Sequence, residues 1–224
     1  MKTVRVASLT GIGFLLAMCS PVHEQQKNQS PLNSRAQEMR AYTEKKMISP
    51  VSEQKKNQSP LNSRAQEMKM YAQKKGYSNR YCFLLDMRLH SGLKRFFVYD
   101  LTKNTIAFSG LVAHGSCEDE FLIQAKFSNK PGGGCSSIGV YKVGCSYYGQ
   151  YGKAYKLYGL ENSNSNAFKR AVVLHSYSCV PDQEIYPKPL CNSSGCAMVS
   201  SAFLKNLSSL IDKSNKPILL WIYV

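Results

Sequence analysis

The chain has 224 residues, 43% of them hydrophobic and 19% charged, and its 29 lysines and arginines against 14 acidic residues give a formal net charge of +15. This composition is ordinary for a globular protein, and the length does not limit the size of the core. The basic excess is spread along the chain, and neither a zinc-finger spacing nor an aromatic RNA-binding signature accompanies it, which excludes those classes of nucleic-acid binding. We expect no nucleic-acid partner and instead an anionic cell-wall or membrane surface.

The N-terminal residues resemble a secretory signal. Residues 1–5 are basic, and the apolar run over residues 6–18 is too short to be a convincing membrane span. Residues 16–19 resemble a lipoprotein box, with methionine at a position that favours a small residue, so lipidation of Cys19 and an ordinary signal peptide both stay open. We predict a signal over residues 1–19 and an exported protein of the periplasm or cell envelope.

A near-perfect duplication follows the signal. Residues 27–39 recur unchanged as residues 56–68, a period of 29 residues. Two copies are too few for a solenoid. Each copy has the pattern of one helix, and in the second a capping box at Ser63, an apolar face of Ala65, Met68 and Ala72, and a stop at Gly76 are predicted. We therefore expect residues 20–76 to form a helical segment whose second helix docks on the domain. The first copy is either a tether or a neutral duplication with no function of its own.

From residue 77 onward the pattern is mainly β. Short aromatic and β-branched runs alternate with Gly, Asn, Ser and Pro, which is typical of an antiparallel sandwich or open barrel. One amphipathic helix interrupts the strands, capped by Ser200 and extending to Lys213. The predicted strands are residues 82–85, 96–99, 106–108, 111–113, 140–143, 155–158, 172–174 and 218–223.

Eight cysteines are permissible in an oxidising compartment. Once Cys19 is assigned to the signal and Cys196 to chemistry, the remaining six can pair in fifteen ways, so the sequence does not give their connectivity. A disulfide between Cys179 and Cys191 would pin the loop before Cys196, but free buried thiols are the expectation at these two positions.

Cys196 and His175 form the candidate catalytic pair. Cys196 follows Gly195 on a turn, and His175 ends an apolar strand-like run, which is how a chain can build an activated sulfur nucleophile. The pKa of a thiol falls next to an imidazolium or a helix N-terminus, and His175 and the helix after Ser200 could supply these. Gly195 lets backbone amides approach a developing oxyanion, with the amide of Cys196 as the predicted donor.

The spacing around these residues resembles the YkuD-type L,D-transpeptidases. Their signature is His, then 14 to 17 residues, then Ser/Thr-His-Gly-Cys, and here 17 residues separate His175 from Ser193-Ser194-Gly195-Cys196. Ser194 departs from the signature histidine, and Met198 stands where Asn or Arg is usual. The wider context, over residues 77–224, resembles the divergent murein L,D-transpeptidase catalytic-domain branch through RFFVYD (95–100), LVAHG (111–115), FSN (127–129), SSIGVY (136–141), GQYGKAY (149–155), GLENSNSNA (159–167) and RAVVLH (170–175).

The resemblance implies a reaction on peptidoglycan stem peptides. Cys196 would attack the bond between the third residue of a stem tetrapeptide and its terminal D-Ala, and His175 would act as base and later protonate the leaving amine. It also implies that a backbone carbonyl, predicted near Ser193, orients the imidazole. No cofactor is implied, and a monomer is expected.

Further residues are predicted to bind substrate beside the catalytic pair. They are Gly195, Ser194, His114, Ser137 and Tyr177. His114 has three interpretations: a substrate contact, part of a metal site with Cys117, or a hydrogen-bonded wall of the cleft. No third metal ligand is placed by the spacing, so no metal site is predicted.

Two alternative functions stay open from the sequence. An L,D-carboxypeptidase would hydrolyse the same bond, because the choice depends on whether the acceptor site holds an amine or admits water. A wall-binding module with an inactive site would explain Ser194, Met198 and the surplus cysteines.

Overall fold

A computed structural model describes residues 58–224 of the chain. The predicted signal, the Cys19 box and the first repeat copy lie outside these residues. Within the described range, no helix is long and apolar enough to cross a membrane.

The described chain forms two α-helices and eight strands. In chain order these are α1 (Gln58–Lys75), β1 (Tyr81–Asp86), β2 (Phe96–Asp100), β3 (Thr105–Gly110), β4 (Gly139–Gly149), β5 (Gly152–Gly159), a short 3-10 helix (Asn162–Asn164), β6 (Val173–Ser176), β7 (Ala197–Val199), α2 (Ser201–Ile211) and β8 (Leu219–Tyr223). Seven predicted strands are present. The remaining predicted run, residues 111–113, belongs to no strand, and β7 was not predicted.

The strands form one sheet in the order β3-β2-β1-β8-β4-β5-β6-β7. The mainly β class with a few helices is confirmed. The sheet is mixed rather than wholly antiparallel, since β1 pairs with β8 and β6 pairs with β7 in parallel. Parallel neighbours need long connections, and the segment between Ser176 and Ala197 supplies one for the second pair.

The sheet curls so that both of its ends contribute to one core. Phe96 of β2, Leu174 of β6 and Val199 of β7 belong to the same buried cluster, together with Phe203 and Leu207 of α2. The extended segment after β3 reaches the opposite edge strand, because the amide of Ala113 donates to the Met198 carbonyl over 2.9 Å. This contact brings the chain after β3 against the strand that follows Cys196.

Helix α1, from the second repeat copy, packs on the other face of the sheet. Ala65, Met68 and Ala72 are buried against β1 and β8, as the apolar pattern predicted. The helix begins at Gln58, so the predicted start at Ser63 is wrong. Pro60 lies in the first turn, where its missing amide costs no helical hydrogen bond.

Candidate active site

Cys196 lies on a tight turn immediately before β7, and Gly195 makes that turn feasible. Gly195 has φ +109°, and a Cβ there would lie 2.6 Å from the Cys135 carbonyl oxygen. Ser193 ties the turn together, because its Oγ accepts from the Gly195 amide (3.0 Å) and donates to the Cys196 carbonyl (2.7 Å). Only glycine combines this backbone conformation with so close an approach.

Strand register places Cys196 and His175 on one face of the sheet. In the β6–β7 pair, Leu174 lies opposite Ala197 and His175 opposite Met198. Because side chains alternate along a strand, Leu174 and Ala197 face the core, whereas His175 and Met198 share the other face. Cys196, two residues before Met198, projects from that same face. The missed strand β7 is therefore the element that brings the predicted pair together.

The imidazole of His175 is held in a defined orientation. Its Nδ1 lies 3.1 Å from the Ser176 carbonyl oxygen. A carbonyl only accepts, so Nδ1 carries the proton and Nε2 is left with the lone pair that a base needs. The carbonyl predicted near Ser193 is thus the wrong one, since Ser176 supplies this contact and Ser193 closes the turn.

The ring of Tyr151 covers the imidazole. Its centroid lies 4.9 Å from that of His175, with 24° between the planes, and Tyr177 meets Tyr151 edge-on at 5.5 Å. His175 is only 2% exposed. Burial lowers the pKa of His175, and the Ser176 carbonyl partly opposes this effect. The imidazole is therefore neutral at neutral pH, the state required of a base.

The thiol of Cys196 is protonated at rest. Burial raises its pKa, while the Val173 amide and the charge of Arg170 act in the opposite direction. Its Sγ donates to the Ala171 carbonyl over 3.8 Å and makes no hydrogen bond to His175. The predicted imidazolium–thiolate pair is therefore not the resting state, whereas the contribution of the α2 N-terminus stays a prediction. The pair is instead neutral, with Arg170 as the nearby cation.

Arg170 lies behind the turn that carries Cys196 and supports it, a role that the sequence did not predict. Its Nη1 donates to the Ser128 carbonyl (3.0 Å) and the Ser137 hydroxyl (2.5 Å), and its Nη2 donates to the Cys135 carbonyl. A Cβ on Gly195 would lie 3.1 Å from that same Nη2. Its position five residues before His175, in the RAVVLH motif, is the sequence feature that could have indicated this role.

Ser137 does not contact the pocket. It is 1% exposed, and its hydroxyl donates to the Ser128 carbonyl over 2.8 Å while accepting from Arg170. The structure therefore does not bring Ser137 to the pocket where Cys196 and His175 lie. The hydroxyl is fully used in fixing Arg170.

His114 is buried in the cleft wall and does not line the pocket, which agrees with the interpretation of a hydrogen-bonded wall residue. It is 0% exposed, and its Nδ1 lies 2.9 Å from Nη2 of Arg95, which can only donate. Burial, reinforced by the Arg95 charge, lowers its pKa to about 3. The His114 carbonyl accepts from the Ser193 amide, so His114 supports the turn that carries Cys196 through its backbone.

Two disulfides lock the segments on either side of the site. Cys117 pairs with Cys135, and Cys179 pairs with Cys191, so the expectation of free thiols at the latter two positions is wrong. Cys117 is thereby unavailable to share a metal with His114. Among the described residues the free cysteines are Cys82, Cys145 and Cys196.

Cys196 and His175 line one open pocket of about 350 Å³. Tyr177 lies on its wall, 44% exposed, and Ser194 is exposed at its rim. A larger cavity of about 600 Å³ lies beside β4 and the chain after α2, but no histidine lines it. The residues that line the smaller pocket are Ser116, Glu120, Tyr151, His175, Tyr177, Asn192, Ser193, Ser194, Cys196 and Met198.

Solved structures with some similarity to this chain have low sequence identity to it. The L,D-transpeptidase from Mycobacterium smegmatis is 12% identical, with a TM-score of 0.39, over 65% of this chain and 59% of that one. The L,D-transpeptidase from Xylanimonas cellulosilytica is 14% identical, with a TM-score of 0.36, over 69% and 68%. The helical cell shape determining protein Pgp2 from Campylobacter jejuni is 12% identical, with a TM-score of 0.41, over 63% of this chain, which spans 46% of its length.

No curated protein matches the sequence. The family model described as the L,D-transpeptidase catalytic domain matches residues 52–223, which include α1, the whole sheet and the candidate catalytic pair. The chain therefore belongs to the L,D-transpeptidase catalytic domain family.

Proposed function

We propose that the chain is a peptidoglycan L,D-transpeptidase with Cys196 as its nucleophile. The sulfur bonds to the carbonyl carbon of the third stem residue as the bond to the terminal D-Ala breaks. The thiol proton passes to Nε2 of His175 and from there to the departing D-Ala amine. An acceptor amine then attacks the thioester, the C–S bond breaks, and the proton returns to the sulfur by way of His175.

One observation carries this proposal: His175 and Cys196 line one pocket, on one face of the β6–β7 pair, with Nε2 left as the base. Reaction from the neutral pair requires the Cys196 side chain to turn from the Ala171 carbonyl toward the ring. Catalytic hydrogen bonds are often long in a free enzyme and tighten with substrate. Tyr151 covers one face of the His175 ring and so helps to hold the imidazole in place.

The turn itself can stabilise the tetrahedral intermediate. Its positive φ at Gly195 and the Ser193 bonds fix the peptide plane that carries the Cys196 amide. An amide held in this way needs no reorganisation as the oxyanion develops.

The test is product analysis with the full chain and purified tetrapeptide muropeptides. The wild type should release D-Ala and form cross-linked dimers, and Cys196→Ala should do neither. Cys145→Ala is the matched control, because Cys145 is an exposed free cysteine that does not line the pocket. Release of D-Ala by Cys196→Ala would refute the nucleophile assignment, whereas trimmed monomers without dimers would indicate an L,D-carboxypeptidase.

A wall-binding module with an inactive site is the second candidate. The observation that favours it is the state of the Cys196 thiol. This thiol is protonated and donates its hydrogen bond to the Ala171 carbonyl instead of to His175. This candidate predicts that wild type and Cys196→Ala bind peptidoglycan equally and that neither releases D-Ala. Turnover by the wild type would exclude it.

We place the protein outside the cytoplasm, in the periplasm or cell envelope. The two disulfides support this location because such bonds persist in oxidising compartments. Peptide mapping of the protein purified from the envelope without reductant should recover both disulfides. Reduced cysteines at these four positions would contradict the assignment.

A further inference from the structure

The sheet face that carries His175 continues beyond the pocket across β5 and β4. Tyr147 of β4 lies opposite Ala154 of β5, and Ala154 lies opposite His175 of β6. Residues directly opposite one another project from the same face of a sheet. Tyr147 therefore lies on the active-site face, two strands or about 10 Å from His175.

Four more residues extend this surface along β5. Lys156 and Tyr158 follow Ala154 by two and four positions and so share its face, which places Tyr158 about 13 Å further along the strand. Lys142 lies opposite Tyr158. The ring of Phe168 stacks on that of Tyr158, with centroids 5.0 Å apart and 11° between the planes. We call Lys142, Tyr147, Lys156, Tyr158 and Phe168 the lysine–aromatic strip.

The strip exposes apolar rings beside positive charge. Phe168 is 55% exposed and Tyr147 is 37% exposed. The Nζ of Lys156 lies 5.6 Å from the ring centroids of both, and the Nζ of Lys142 lies 4.6 Å from that of Tyr158. In the part of the chain that the structure describes, neither lysine forms a salt bridge. Such a surface suits a ligand that combines flat apolar faces with oxygen acceptors.

We propose that the lysine–aromatic strip binds the glycan strand that carries the donor stem peptide. The inference rests on the proposed function. The bond to be cleaved follows the third stem residue, and three extended residues span about 10 Å, so the sugar that bears the stem must lie near the pocket. The strip starts in the same row as His175 and extends along the strand over a comparable distance. Sugar ring faces pack on the exposed aromatic rings, and the ammonium groups of the lysines donate to hydroxyl and amide oxygens of the strand.

The test compares two variants of the full chain. The strip variant combines Lys156→Glu and Phe168→Ser. The control combines Lys205→Glu, on the exposed side of α2, with Met70→Ser, where the side chain on α1 is 64% exposed. The substrates are a free tetrapeptide and the same tetrapeptide attached to its glycan strand. We expect the strip variant to lose about tenfold in kcat/KM on the glycan-linked substrate alone, and the control to lose nothing on either.

A binding measurement separates this inference from the proposed function. Co-sedimentation with insoluble glycan from which the stems have been removed needs no turnover, and the strip variant should require about tenfold more glycan for half-retention. Equal retention of the strip variant and the wild type would overturn the inference, and so would a loss of kcat/KM that is the same on both substrates. Failure of the wild type to release D-Ala from either substrate would instead refute the proposed function.

Discussion

Two histidines lie at the candidate active site, one in a wall that is open to the pocket and one in a wall that is buried. His175 lies on the open wall, with Nδ1 held by Ser176 and Nε2 available to the pocket. His114 lies in the sealed wall, fully buried, with Arg95 against its Nδ1. Burial lowers the pKa of both rings, so a shifted pKa does not distinguish a base from a structural histidine. What distinguishes them is access of one ring nitrogen to the pocket.

The largest expected effect lies on the open wall. His175→Asn should slow acylation of Cys196 by a carbapenem at least about a hundredfold, because a general base typically contributes that much or more. The lowered pKa of His175 puts the acid limb of the wild-type rate profile below its ordinary value of 6.5, and the variant should lack that limb. Stopped-flow acylation from pH 4 to 10 measures both.

His114→Asn is the comparison that could break this account. It should leave the acylation rate within a few fold of the wild type, since His114 does not reach the pocket. A rate loss as large as that of His175→Asn, in a His114→Asn variant that remains folded, would show that His114 takes part in the reaction.

The next effect concerns the turn that joins the two walls. Gly195→Ala should lower the free energy of unfolding by about 3 kcal/mol or more, because backbone strain and a clash with the Cys135 carbonyl act together. Gly132→Ala is the matched control, since Gly132 has φ +83° but open space around it, and it should cost only about 1 kcal/mol. Urea unfolding measures the difference, and equal costs would remove the clash from the explanation.

The smallest effect is the pH dependence of stability that His114 creates. Its pKa is about 3 when folded, against 6.5 ordinarily, so below pH 6.5 the unfolded chain takes up a proton that the folded protein does not. This contribution to stability is complete above pH 6.5 and is lost progressively as the pH falls toward 3. The advantage of the wild type over His114→Asn should shrink by at most about 1.4 kcal/mol per pH unit over this range. Urea unfolding midpoints of both proteins at pH 7 and pH 5 test this expectation. An equal stability difference between them at the two pH values would contradict a buried, neutral His114.

Local patterns predicted most of the fold and indicated the candidate catalytic pair. Strands with β-branched and aromatic runs, the Ser200 cap and the apolar face of α1 depend on neighbouring residues, so their residue patterns indicate them. Strand β7 was not predicted because it has only three residues and directly follows the turn-forming residues Ser193 to Gly195. The support from Arg170 and the disulfide pairings depend on residues far apart in sequence, which local patterns do not bring together.

The most direct test of the central claim is the site of carbapenem acylation. The wild-type chain, with a free thiol confirmed at Cys196, would be incubated with a carbapenem, digested and mapped by mass spectrometry. We predict one adduct, on the peptide that contains Cys196, which persists in Cys145→Ala and disappears in His175→Asn on the same timescale. No adduct at Cys196, or an equal yield in His175→Asn, would contradict the assignment of these two residues.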